Sequence, residues 1–132
     1  MVKFSHTVFY VKDVKLALKF YEDLFGFKTK FIYEGNHYAE METGATSLAF
    51  ISEEFAATNL VKGYIKNDIS KPPFAGEVDF TVPDVQEYYD KAIKLGAVGA
   101  ALPEQKPWGQ VIAYVRDHNG ILIELSSAMD ME

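Results

Sequence analysis

The chain has 132 residues, 48% hydrophobic and 24% charged, the balance of one ordinary globular domain rather than of a disordered chain. Against 13 Lys and Arg stand 19 Asp and Glu, a formal net charge of −6 with no basic cluster to offset it, which argues against a nucleic-acid partner and for attraction of a cationic small molecule. Cysteine is absent, which removes disulfide and thiol chemistry. The opening residues Met1-Val2-Lys3-Phe4-Ser5-His6 run directly into strand-like alternation rather than into the apolar stretch of a signal peptide. No apolar run approaches the roughly 20 residues needed to cross a bilayer. The expectation is a cytoplasmic protein with no membrane partner.

In chain order, the first element is a strand over about 4–11, because apolar residues recur at every second position. Asp13 follows where a helix N-cap belongs. Val14, Leu18, Tyr21 and Phe25 then make one apolar helical stripe that ends at Gly26. Strand-like runs come next at 27–33, 38–43 and 46–52, with Gly35-Asn36 and Gly44 as turns. Residues 53–75 read as a linker containing Pro72-Pro73. The order then begins again. A strand over 76–82 leads to Asp84, and Val85, Tyr89, Ala92 and Leu95 form a second stripe that ends at Gly96. Runs near 97–101, 110–116 and 121–126 follow, the last two joined by the hairpin turn Asp117-His118-Asn119-Gly120.

The two halves are a repeat. His6-Thr-Val-Phe-Tyr-Val-Lys-Asp-Val aligns with Glu77-Val-Asp-Phe-Thr-Val-Pro-Asp-Val, with Phe9/Phe80, Val11/Val82, Asp13/Asp84 and Val14/Val85 identical. The prediction is one α+β domain over 1–132 made of two tandem βαβββ modules, about 3–52 and about 76–128. Strand parity sorts the side chains. Thr7, Phe9 and Val11 face the helix, and His6, Val8 and Tyr10 face away. Glu77, Asp79, Tyr38, Glu40, Tyr114, Arg116 and Glu124 fall on the corresponding polar faces, which a curved mixed sheet would gather into a cup. Glu40 and Asp79 are carboxylates able to serve there as catalytic bases. Tyr10, Tyr38, Trp108 and Tyr114 offer flat rings to a planar or cationic ligand, and Arg116 lies beside them. His37 and His118 lie in turns and read as solvated.

These motifs resemble the vicinal oxygen chelate superfamily of glyoxalases, bleomycin-resistance proteins and extradiol dioxygenases. The likeness rests on the opening repeat, on Phe20-Tyr21 leading to Leu24-Phe25-Gly26-Phe27, on Pro107-Trp108-Gly109-Gln110, and on Tyr114 through Leu125. It covers nearly the whole chain. It implies a glyoxalase-like fold, a homodimer, a small oxygen-bearing ligand and no organic cofactor. Carried over position by position, it implies a divalent metal (manganese, iron, nickel or zinc) on His6, Glu77 and Glu124. The fourth ligand position falls at Ala49, or at Leu48 one residue earlier, and neither side chain can bind a metal. The chain therefore departs from the four-ligand glyoxalase pattern. Two functions follow: a metal-dependent lyase, isomerase or oxygenase, and a metal-free sequestration protein of the bleomycin-resistance type.

Overall fold

A computed structural model describes residues 1–129. It divides into two compact units, Met1–Lys66 and a second that begins at Asn67, and one repeat falls in each. In the first, β1 (His6–Val11) leads through α1 (Val14–Phe25) to β2 (Lys28–Ile32), β3 (Tyr38–Glu42), β4 (Ser47–Ser52) and a short α2 (Glu53–Asn59). In the second, β5 (Val78–Thr81) leads through α3 (Val85–Lys94) to β6 (Val98–Gln105), β7 (Val111–Arg116) and β8 (Leu122–Ser126). The α+β class and the twofold βαβββ order are as the sequence predicts.

Each module builds a four-stranded sheet, in the orders β1-β4-β3-β2 and β5-β8-β7-β6. The β1/β4 and β5/β8 pairs are parallel and the others antiparallel. Parallel neighbours cannot be joined by a hairpin, so each first strand reaches its partner only after the chain has passed through a helix and two further strands. α1 and α3 each start at the predicted aspartate. The Asp13 carboxylate accepts from the Leu16 N–H at 3.0 Å and the Asp84 carboxylate from the Glu87 N–H at 3.0 Å. Gly26 ends α1 at φ 75°, a left-handed conformation that a side chain would strain.

α1 buries Val14, Ala17, Leu18, Phe20, Tyr21 and Leu24, and the Tyr21 ring lies 5.2 Å from that of Phe50 on β4. Leu24 rather than Phe25 closes the buried stripe; Phe25 stays partly exposed against Phe27. α3 packs on β6 and β7, with Val85 and Ala92 buried above a sheet core of Ala113, Val115, Ile123 and Leu125.

Three features depart from the sequence reading. The segment read as linker opens with α2: the Ser52 hydroxyl accepts from the Phe55 N–H at 3.1 Å, and Glu53 and Glu54 place negative charge in the first turn. β6 runs through Pro103 to Gln105, further than predicted, because an edge strand tolerates the missing N–H. His37 is half-buried rather than free in a turn: its ring stacks on Phe55 at 4.2 Å and its Nδ1 lies 2.8 Å from the Ser52 hydroxyl. No helix among the described residues is long and apolar enough to cross a membrane.

Candidate polar centres of the two modules

In both sheets, alternation puts the apolar side chains under the helix and a set of polar ones on the other face. In module 1 the register aligns Val8, Ala49 and Glu40 in one row across β1, β4 and β3, with His6 beside Ser47. β4 separates β1 from β3, yet the His6 Nε2 and Glu40 Oε2 atoms are 2.9 Å apart. Between them the row offers only the methyl group of Ala49, which leaves room for the two long side chains to meet. The Tyr38 hydroxyl donates to the same carboxylate at 2.7 Å.

Glu40 is buried, and its carboxyl is still held below the ordinary range. The Tyr38 hydrogen bond is the main cause; His6 and the charge of Lys30 assist, and desolvation opposes them. Lys30 also donates to the Ser47 hydroxyl at 3.2 Å. Parity counting cannot place Lys30, because the β2/β3 register slips between Thr29 and Phe31. Tyr38 is pushed up to about 12 by desolvation and by Glu40. This centre is ionised, hydrogen-bonded and balanced by positive charge.

The matching row of module 2 is Asp79, Glu124 and Tyr114 across β5, β8 and β7. The Tyr114 hydroxyl donates to Glu124 at 2.8 Å, and the Ser126 hydroxyl donates to Asp79 at 2.7 Å. Desolvation and the neighbouring Glu77 carboxyl push Glu124 up, against the Tyr114 hydrogen bond. Asp79 is also raised, first by desolvation and then by Glu124, with Ser126 opposing. Tyr114 is pushed up to about 12, mainly by its bond to Glu124. The groups that shift these carboxyls are other carboxyls, a phenol and a hydroxyl, so the centre carries crowded negative charge.

The other predicted ligand-binding residues lie elsewhere or do other work. Tyr10 packs edge-on against Tyr64, ring centres 4.8 Å apart. Trp108 is 59% exposed at the tip of the β6–β7 hairpin, with its indole N–H on Gln110 at 2.9 Å. Arg116 is buried, and its donors go to main-chain carbonyls: Nε to Gly120, Nη1 to Ile69 and Lys71, and Nη2 to Asp68. Four of its five N–H groups are thereby used, and the side chain clamps residues 68–71.

The inferred metal ligands divide between the units, with His6 in the first and Glu77 and Glu124 in the second. His6 is engaged with Glu40, and Ala49 offers no donor. Among the described residues, no group of three or more His, Asp or Glu side chains is placed to hold a metal ion. The donor set as arranged within each module therefore does not fit a resident divalent metal.

Comparison with known proteins gives a consistent picture. The family model described as Glyoxalase/Bleomycin resistance protein/Dioxygenase superfamily matches residues 3–125. YraH of Bacillus subtilis (strain 168), itself uncharacterized, is 28% identical over 116 residues, 87% of this chain and 90% of YraH. A glyoxalase/bleomycin resistance protein/dioxygenase family enzyme from Burkholderia phytofirmans PsJN superposes with a TM-score of 0.83 at 17% identity, covering 97% of this chain and 100% of the other. A lactoylglutathione lyase from Agrobacterium tumefaciens superposes at 0.64 and 19% identity, covering 94% and 92%. At these identities the two structures speak for the fold alone.

Proposed function

Taking as premise that the chain belongs to the glyoxalase/bleomycin resistance protein/dioxygenase superfamily, we propose that it binds a small oxygen-bearing molecule carrying a protonated nitrogen, without a resident metal. The observation that supports this is the crowding of Glu77, Asp79 and Glu124 around the Tyr114 hydroxyl. Carboxylates held together raise one another's proton affinity until a cation or a proton intervenes. A ligand ammonium supplies that cation. A ligand oxygen acting as hydrogen-bond donor or acceptor can pair with the remaining carboxylate or phenol. The net charge of −6 draws such a ligand toward the protein. Tyr114 provides an aromatic face next to the charge.

A second reading rests on the opposite shifts of Asp79 and Glu40. Asp79 is raised toward neutrality and so is the better general base; Glu40 is lowered and so is the better fixed charge. Tyr114 stays protonated at neutral pH and can return a proton. That pair suits an isomerase or lyase that moves a proton on a bound substrate. The chain is further expected to form a homodimer, which sedimentation would detect.

Calorimetric titration tests the binding reading, with bleomycin and tryptamine as cationic probes and Mn²⁺, Ni²⁺ and Zn²⁺ as competitors. The expected result is saturable binding of a cationic probe, weakened on the order of tenfold in Glu124→Gln and unchanged by a chelator. Stoichiometric metal binding that is lost in His6→Ala and Glu124→Ala would replace this reading with a metalloenzyme. Absence of binding by both cations would sink it.

A further inference from the structure

Module 1 holds an imidazole that the cation site of module 2 does not use. Glu40 Oε2 accepts from the Tyr38 hydroxyl at 2.7 Å and meets His6 Nε2 at 2.9 Å. An ionised carboxylate only accepts, so Nε2 carries the proton in this pair. In the neutral ring the lone pair is then left on Nδ1. Nδ1 has no hydrogen-bond partner among the described residues. The His6 side chain is 35% exposed against 12% for Glu40, so the carboxylate is the covered member and the imidazole the reachable one. The other two histidines lack this arrangement. His37 Nδ1 lies on the Ser52 hydroxyl with its ring stacked on Phe55, and His118 Nε2 lies where a side chain on Gly96 would stand.

The neighbours of this pair suit one kind of chemistry. Lys30 reaches over β3 to the hydroxyl of Ser47, the β4 residue paired in register with His6. That bond uses one of its three N–H groups, and it forms no ion pair among the described residues. An ammonium so held can balance charge that develops on a nearby oxygen. The row through Glu40 runs Val8, Ala49, Glu40, Phe31, and both its ends are exposed apolar side chains. The Phe31 ring lies 6.1 Å from that of Tyr38, which gives the face an aromatic wall.

We infer that His6, oriented by Glu40, is a metal-free general base that enolises small carbonyl compounds carrying an apolar or aromatic substituent. Nδ1 takes a proton from the carbon next to the carbonyl. The C–H electron pair forms the C=C bond, and the carbonyl π pair passes to oxygen, where Lys30 balances the charge. The imidazolium then returns the proton to carbon, so no co-reactant is consumed. Glu40 is a positioning residue in this scheme, held in turn by Tyr38. The residue that the family likeness makes a metal ligand is here a proton carrier.

The first test reads the imidazole ¹⁵N signals of the intact chain at about pH 8, where an ordinary imidazole is neutral. His6 should show a bare Nδ1 and a protonated Nε2, and Glu40→Gln should turn this into a mixture of tautomers. The second follows deuterium uptake next to the carbonyl of acetone and of benzylacetone in D₂O with a chelator present. Uptake should exceed that with equimolar free imidazole on the order of 100-fold and favour benzylacetone severalfold. It should fall to the imidazole level in His6→Gln and about tenfold in Glu40→Gln and Lys30→Met, and be largely kept in Lys30→Arg. A doubly protonated ring, a bare Nε2, uptake no faster than with free imidazole, or uptake undiminished in His6→Gln overturns the proposal. Loss in Lys30→Arg would assign the exchange to amine chemistry on the lysine and overturn it as well. The cation site of module 2 is read by calorimetry and this one by ring nitrogens and carbon-bound deuterium, so either reading can fail alone.

Discussion

The two modules share strand order, helix caps and register, yet they place opposite chemistry in the same row. In module 1 the row reads Val8, Ala49, Glu40, and a small residue on the middle strand lets His6 reach across to the carboxylate. In module 2 it reads Asp79, Glu124, Tyr114, and the middle strand itself carries the carboxylate. In one centre the carboxylate is hydrogen-bonded by Tyr38, paired with His6 and near the charge of Lys30; in the other the neighbours are further carboxyls. The scaffold therefore does not dictate the charge of its own site. A single position on the middle strand, alanine or glutamate, decides whether neighbouring strands can pair across it or must crowd around it.

Three experiments would break or sharpen this contrast. The largest effect is expected at Arg116, whose counterpart by register in module 1 is the exposed Glu42. Arg116→Ala leaves several main-chain carbonyls without their donor and should cost module 2 about 3 kcal/mol in denaturant unfolding. Binding of cationic probes by the surviving folded protein should be unchanged; a selective loss of binding would restore Arg116 as a ligand contact.

Next is Ala49→Glu, which gives module 1 the middle-strand carboxylate of module 2. It should separate His6 from Glu40, cost about 1–3 kcal/mol, and raise the Glu40 carboxyl toward neutrality. Carboxyl chemical shifts followed through a pH titration would show this. An unmoved Glu40 would mean that the alanine methyl is not what permits the pairing.

The smallest effect is a pair of opposite pH slopes. Glu124 is raised above its ordinary value of 4.5, so its contribution to stability is fully present below 4.5 and is lost as pH rises through the folded value. Glu40 is lowered, so its contribution is present above 4.5 and is lost as pH falls through the folded value. Stability measured from pH 3 to 8 should therefore lose part of its alkaline decline in Glu124→Gln and part of its acid decline in Glu40→Gln. Parallel curves for the two variants would remove the electrostatic distinction between the modules.

Much of the architecture was legible from local signals. Asp13 and Asp84 read as caps because a carboxylate before an apolar stripe has free N–H groups to bind, and both do so. Parity placed His6, Tyr38 and Glu40 on one face, and the structure brings these three within hydrogen-bonding distance. What escaped depends on details that periodicity does not encode. α2 is too short for a stripe, although Ser52 followed by two glutamates was a usable start signal. Lys30 sits at a register slip that resets parity. Arg116 has the parity of a ligand-facing residue, but its long side chain turns back to carbonyls 45–48 residues away in sequence. The pairing of His6 with Glu40 needs the room left over Ala49, a packing fact rather than a pattern.

The Arg116 clamp also fixes where the polypeptide can be cut. By gripping the carbonyls of Asp68, Ile69 and Lys71 it makes those residues part of module 2. Val61 is 91% and Ile65 is 97% exposed, and Lys62 between them is exposed as well. A lysine-specific protease should nick first at Lys62 and spare Lys71, whose carbonyl is held by Arg116 at 2.6 Å. The boundary between the repeats, after Lys66, then lies ahead of the Pro72-Pro73 pair within the segment 53–75, and an insertion should be tolerated best in the exposed stretch Val61–Gly63.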